Sequence, residues 1–265
     1  MAEHRHGHAR GAGIHATERL IFALDVPTAQ AAETVLDAVH ESVGVIKVGL
    51  ELFASEGPAV IRLVRQFGKP VFLDLKVLDI AETVQRTTAR VAEMGVSFLT
   101  VHAQRKALAA AVKGRAGNPA LHILAVTVLT NVDRADLRKW GDGQSVADLV
   151  VARARVAAEV GCDGVVASGK EPVAIRSAID TPLLIVTPGV RPAGQAVDDH
   201  ARSATPRQAI QAGADYVVVG RPIRDAPDPR AAAQALVGEM QAAFDERVIR
   251  SKHAESSPTG AMDDT

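Results

Sequence analysis

Residues 71–80 read Val71-Phe72-Leu73-Asp74-Leu75-Lys76-Val77-Leu78-Asp79-Ile80. The run begins as a strand, apolar from Val71 to Leu75 except for one carboxylate. Side chains alternate along a strand, so Phe72, Asp74 and Lys76 are expected on one face and Val71, Leu73 and Leu75 on the other. An acid and an amine then point the same way at the end of an apolar strand. Asp79 follows where a helix is predicted to open. Two carboxylates thus stand close to one ammonium. Burying such charges costs free energy unless they are paired, and clusters of this kind are where sites tune proton affinity. This stretch is the candidate catalytic centre.

The same strand-then-helix reading extends in both directions. Short apolar runs are predicted as strands at 20–25, 45–49, 71–75, 98–102, 123–128, 164–168, 183–187 and 216–220. Longer Ala-rich amphipathic runs at 29–40, 51–67, 81–94, 106–113, 145–160, 171–178, 206–212 and 230–244 are predicted as helices. Strands that alternate with helices argue for a parallel sheet. Eight such units in 265 residues fit a single closed (β/α)8 TIM barrel better than an open doubly wound sheet. No G-x-G-x-x-G follows the first strand, which weakens a dinucleotide-binding reading. The connection after Thr187 is long, and such loops are usually functional or disordered. It ends in a helix start with Thr205 as N-cap, Pro206 at the first helical position and Gln208 completing a capping box.

Composition sets the outer bounds. With 47% hydrophobic residues and a net charge of -1, the chain is expected to be soluble and globular, with no electrostatic reason to bind nucleic acid or an anionic membrane. Its one cysteine, Cys162, rules out a disulfide framework and fits a cytoplasmic setting. No apolar run approaches the roughly 20 residues needed to span a bilayer, and the polar start lacks a secretory apolar segment. Residues 1–18, which include His4, His6, His8 and His15, are expected to form a disordered polar tail, although a metal-binding or tag-like role is the alternative. Residues 250–265 are expected to form a second disordered tail, leaving 19–249 as the barrel.

Active sites in this architecture gather at the C-terminal ends of the strands. The polar residues predicted there are Asp25, Lys47, Asp74, Lys76, His102, Ser168, Thr187 and Arg221, with Asp79 and Gln195 in the loops just beyond. Lys47 interrupts an apolar strand. It can snorkel at the strand end, but Val45, Lys47 and Gly49 would face inward together, which favours function. Asp25 can bind substrate or cap the following helix. Asp79-Ile80-Ala81-Glu82 fits a capping box, and on spacing alone the cap is favoured for Asp79. His102 reads as a structural histidine more readily than as a base. Ser168 has no neighbouring base and suits a hydrogen-bond contact rather than a nucleophile.

The last strand continues into Val219-Gly220-Arg221-Pro222. Loops after strands seven and eight often hold phosphate in these barrels. Gly220 lets backbone N–H groups approach a ligand, and Arg221 offers a planar fork of donors suited to phosphate oxygens. No zinc spacing or P-loop is present. The residues alone therefore indicate a barrel enzyme that acts on a phosphorylated small molecule by lysine–carboxylate proton chemistry, with the substrate open.

Asp74-Leu75-Lys76-Val77-Leu78-Asp79-Ile80 resembles the D-x-K-x-x-D-I motif of the orotidine 5′-phosphate decarboxylase family. The resemblance runs from about residue 19 to 245. It includes Asp25, Ile46-Lys47-Val48-Gly49, Thr100-Val101-His102, Thr187-Pro188-Gly189-Val190-Arg191-Pro192, Gln195 and Gly220-Arg221-Pro222. Where the commonest form continues D-I-P-N-T, this chain has Asp79-Ile80-Ala81-Glu82-Thr83. The resemblance implies decarboxylation of orotidine 5′-phosphate to UMP, with no cofactor and no metal. It implies a homodimer with sites at the interface: Lys47, Asp74 and Lys76 from one subunit, Asp79 and Thr83 from the other. Lys76 would stabilise and protonate the C6 carbanion, paired with and oriented by Asp74 and Asp79. Lys47 and Asp25 would hold the ribose, Ser168 the pyrimidine amide edge, and Gln195, Gly220 and Arg221 the phosphate, with 188–204 closing as a lid. The alternative is a Mg²⁺-dependent sugar-phosphate decarboxylase or aldolase of the same superfamily, which would place an acidic ligand near the end of strand two, where this chain has Lys47.

Overall fold

The computed structural model describes residues 15–141, 143–192 and 204–256, with side chains to residue 250. In chain order the elements are α1 (Ala16–Arg19), β1 (Leu20–Ala23), α2 (Ala29–Val39), β2 (Val45–Gly49), α3 (Leu50–Glu56), α4 (Ala59–Gln66) and β3 (Val71–Val77). Then come α5 (Ala81–Glu93), β4 (Phe98–His102), α6 (Arg105–Gly114), β5 (His122–Val126), α7 (Arg134–Lys139), α8 (Val146–Glu159) and β6 (Gly164–Val166). The chain finishes with α9 (Pro172–Ala178), β7 (Leu184–Thr187), α10 (Pro206–Ala212), β8 (Tyr216–Val219), α11 (Arg221–Arg224) and α12 (Pro229–Ser256). Neighbouring strands pair in parallel, and β1 pairs with β8, which closes the barrel.

Alternation along the strands separates two cores. Leu20, Phe22, Ile46, Leu73, Leu99 and Ile123 face outward and are buried under the helices. Ile21, Val45, Phe72, Phe98, Leu124, Leu184, Val186 and Tyr216 face inward. The inward aromatics sit near the strand starts. Phe98 meets Phe72 and Tyr216 edge-on, with ring centroids 6.0 and 5.6 Å away. The Arg19 guanidinium covers the Tyr216 ring at 4.8 Å. These rings plug the bottom of the barrel, each burial contributing roughly 1.5–3 kcal/mol. Polar inward residues are thereby left at the open, C-terminal mouth.

The predicted helix over 51–67 is two helices, α3 and α4. Gly57, at φ 58°, ends α3 in a left-handed turn, and Pro58 brings no backbone N–H to continue it. The short helices α7 and α11 lie in stretches expected to be loops. The strand over 71–75 runs on to Val77. Ordered structure also enters both stretches assigned to the tails. The Ala16 backbone N–H donates to Gln241 Oε1 of α12 at 2.9 Å, and α12 continues to Ser256.

Candidate active site

β1, β2 and β3 bring four charged residues, Asp25, Lys47, Asp74 and Lys76, to the mouth of the barrel. Ala23 pairs with Lys47, and Gly49 pairs with Asp74. The Lys47 ammonium lies 2.9 Å from Asp25 Oδ1 and 3.8 Å from Asp74 Oδ2. The Lys76 ammonium lies 2.9 Å from Asp74 Oδ1. Two acids and two ammoniums therefore alternate along one line. Lys47 is only 9% exposed, so its pairing is what makes its burial tolerable. A Cβ on Gly49 would stand 3.1 Å from Asp25 Oδ1 and 3.2 Å from Lys47 Nζ, so glycine leaves room for this pair. The helix-capping reading of Asp25 does not hold. Thr28 caps α2, its hydroxyl accepting from Ala31 N–H, while Asp25 is committed to Lys47.

Lys76 reaches its place by a break in the sheet. The β3–β4 register passes from Leu73↔Leu99 directly to Val77↔Val101. Asp74, Leu75 and Lys76 therefore stand against the single residue Thr100. Among the described residues, Lys76 is the only non-glycine with positive φ, at 50°. Such a backbone costs on the order of 1–3 kcal/mol and persists where the surroundings enforce it.

These residues open onto a cavity of about 300 Å³, within the size range of small-ligand sites. Its wall includes Asp25, Lys47, Asp74, Lys76, Ser168, Gly220 and Arg221 from the sequence reading, together with Thr130 and Arg191. Ser168 is fully buried, and its hydroxyl has no hydrogen-bond partner among the described residues, which leaves it for a ligand. Its backbone is fixed by Glu171, whose carboxylate accepts from Ser168 N–H at 2.7 Å. Arg221 opens α11 directly after Gly220, so a guanidinium and a tight backbone turn share one edge of the cavity.

Other expected site residues fall elsewhere. Asp79 is exposed and absent from the cavity wall, and its carboxylate accepts from the adjacent Ile80 N–H at 2.6 Å. The capping box expected of Asp79 and Glu82 does not form: Ile80 is the N-cap of α5, and Glu82 pairs with Arg86 at 3.0 Å. Thr83 lies on the first turn of α5, also off the wall. Thr187 is buried, with no hydrogen-bond partner for its hydroxyl among the described residues, but it does not line the cavity. His102 ends β4 outside the wall. Burial holds its imidazole below the usual range, with smaller contributions from the Arg153 and Lys76 charges. Gln195 lies outside the described residues, as does most of the 188–204 loop. Among the described residues no group of three or more His, Cys, Asp or Glu side chains is placed to hold a metal ion.

The sequence reading missed Thr100, Thr130 and Arg191. Arg191 carried a readable signal, an arginine between Gly and Pro residues in the loop after β7. Thr100 carried none, because its place depends on the register break.

Fold and site together define a (β/α)8 barrel with an alternating lysine–aspartate network at its mouth, beside arginines suited to an anion. The chain belongs to the orotidine 5′-phosphate decarboxylase / HUMPS family, which it matches over residues 18–236. It is 50% identical over 224 residues to an orotidine 5′-phosphate decarboxylase of Anaeromyxobacter sp. (strain K), covering 84% of this chain and 99% of that protein. It is 48% identical over 226 residues to one of Rhodopseudomonas palustris, covering 85% of this chain and 95% of that protein. The crystal structure of orotidine 5′-phosphate decarboxylase from Lactobacillus acidophilus superposes with a TM-score of 0.74 at 35% identity, covering 83% of this chain and 98% of that one.

Proposed function

We propose that this chain removes carbon dioxide from orotidine 5′-phosphate to give UMP, a carboxy-lyase step of pyrimidine biosynthesis, and that it does so without metal or cofactor at a site completed by a second copy of itself. The observation that carries the reading is Asp74 held between the Lys76 and Lys47 ammoniums at the cavity wall.

Loss of carbon dioxide leaves a pair of electrons on C6 of the pyrimidine, in the plane of the ring where it cannot delocalise. Stabilising that charge needs a cation already in position when it develops. The Lys76 ammonium is such a cation, and it can then deliver its proton to C6. Asp74 orients Lys76 and lies near the departing carboxylate. Lys47 with Asp25 receives the ribose hydroxyls, and the Ser168 hydroxyl meets the amide edge of the base. Gly220, Arg221 and Arg191 receive the phosphate together with Gln195. Binding at that remote group can hold the ring against the charges. The segment 188–204 closes over it as a lid.

Asp79 and Thr83 reach the cavity of a partner subunit in this reading. Leu78 and Ile80, which flank Asp79, are large apolar side chains exposed at 48% and 71%, as expected of residues covered in a dimer. A metal-dependent sugar-phosphate reading needs an acid where Lys47 stands, and an ammonium there would repel a divalent cation. The catalytic domain is the barrel, residues 19–249. A net charge of -1 gives no pull toward nucleic acid, and no helix of the described residues is long and apolar enough to cross a membrane. The lone free cysteine, Cys162, fits a reducing, cytoplasmic location.

The test is to mix the purified protein with orotidine 5′-phosphate and excess EDTA and to follow the loss of orotate ultraviolet absorbance. Conversion to UMP is expected. No conversion with EDTA, restored by Mg²⁺, would move the assignment to the metal-dependent branch.

A further inference from the structure

We infer that Thr100 is a positioning residue for the reaction, acting through both Lys76 and Asp74 without touching substrate. The proposal rests on the decarboxylase reading for its kinetic test and on geometry alone for its structural one.

Thr100 is fully buried in the middle of β4 and is not part of the cavity wall. It shares the inward face of β4 with Phe98, so its side chain enters the barrel below the site. Its hydroxyl makes two hydrogen bonds of opposite sense. It accepts from the Lys76 backbone N–H at 2.9 Å and donates to Asp74 Oδ1 at 2.9 Å. Asp74 Oδ1 is the same oxygen that pairs with the Lys76 ammonium. One hydroxyl thus holds the backbone of the proton donor and the carboxylate that aims its side chain.

The register break explains why a hydroxyl is needed here. β3 uses Asp74, Leu75 and Lys76 where β4 offers only Thr100, so the regular ladder provides no carbonyl partner at that point. The Thr100 Oγ1 takes the place of the missing acceptor for Lys76 N–H. A buried N–H without one would be costly. The left-handed Lys76 backbone, at φ 50°, is the conformation this substitute bond secures. A valine keeps the shape and the branching but neither hydrogen bond, and a serine keeps both.

The experiment compares Thr100→Val and Thr100→Ser with the parent protein in kcat and KM for orotidine 5′-phosphate, per folded site counted by UMP binding. For Thr100→Val, kcat should fall about 10–100-fold, the scale of a small misplacement of reacting groups. KM should move by less than about threefold, since the phosphate and ribose contacts lie on other strands. Thr100→Ser should stay within about threefold of the parent in both constants. A Thr100→Val kcat within about twofold of the parent, or a Thr100→Ser as impaired as Thr100→Val, would overturn the role. If valine prevents folding, Thr100→Ala is read by the same criteria. If the parent does not turn over orotidine 5′-phosphate, the decarboxylase reading fails by itself, and the crystal structure of the folded variant decides on Thr100. Lys76 should leave positive φ, and its ammonium should leave Asp74. An unchanged Lys76 would refute the positioning role.

Discussion

Lys47 and Asp74 stand 3.8 Å apart, and that contact joins two ion pairs into one network. Asp25–Lys47 and Lys76–Asp74 would otherwise be separate pairs at 2.9 Å each. Because Asp74 is shared, removing Lys76 leaves its carboxylate still facing one ammonium and one hydroxyl. Lys76→Ala should therefore fold, with a thermal midpoint within about 5 °C of the parent. Its kcat should fall on the order of 10³-fold or more, because the lost group is the cation at the developing charge. Turnover near the parent rate would remove Lys76 from the reaction.

Removing Asp74 should behave differently. Asp74→Ala leaves Lys47 and Lys76 facing one another without the acid between them, and Lys47 is the more deeply buried of the two. Breaking a buried pair by deleting one partner costs about 3–5 kcal/mol. Asp74 keeps some exposure, 15% for its side chain, so screening reduces that to roughly 1–3 kcal/mol. Urea unfolding should show Asp74→Ala losing more stability than Lys76→Ala. Equal losses would mean that Asp74 does not bridge the two lysines.

Arg221 is expected to act on binding through the phosphate. Arg221→Ala should weaken UMP affinity by roughly 30-fold or more, while uridine, which lacks the phosphate, should bind both proteins alike. Calorimetry with the two ligands separates the cases. An equal loss for both would place Arg221 elsewhere on the substrate.

The shared-site proposal makes a prediction that a single-chain site cannot meet. Lys76→Ala and Asp79→Ala should each be nearly inactive alone. Mixed and allowed to exchange subunits, they form heterodimers in which one site carries both substitutions and the other carries neither. Activity should return to about a quarter of the parent value, the statistical share of intact sites in a two-fold dimer. No recovery after demonstrated exchange would return Asp79 to a local role, bonded to Ile80 N–H as in the isolated chain.

The barrel was legible because its two periodicities are plain. The strands β2 and β4 fall where the alternation puts them, and α10 begins at the capping box of Thr205 and Gln208. Errors collect where the backbone leaves regular geometry. Gly57 and Pro58 split one predicted helix, a local stop that the amphipathic pattern running across it conceals. At the site, Asp25, Lys47, Asp74 and Lys76 could be gathered because polar residues at the ends of apolar strands must share the barrel mouth. Thr100 could not be found in this way. In a regular strand it is one more β-branched residue, and only the register break between β3 and β4 sets its hydroxyl against Lys76. Asp79 marks another limit: its spacing to Glu82 fits a capping box, yet Ile80 is the N-cap of α5 and the Asp79 carboxylate accepts from Ile80 N–H instead.

His102 contributes a pH dependence just below neutrality. Burial, with the Arg153 and Lys76 charges, keeps its imidazole below the ordinary value of 6.5 in the folded chain. The unfolded chain therefore binds this proton at higher pH than the folded one does. Stability from the neutral imidazole is fully present above about pH 6.5 and is lost as the pH falls through the lower folded value. His102→Gln keeps a polar side chain of similar reach and removes the titration. Urea midpoints measured from about pH 7.5 down to pH 5 should fall less steeply for this variant than for the parent. Matching slopes would show that another group governs the acid limb. A variant that loses turnover at neutral pH while its stability slope flattens would give His102 a second role, beside Lys76 in the site.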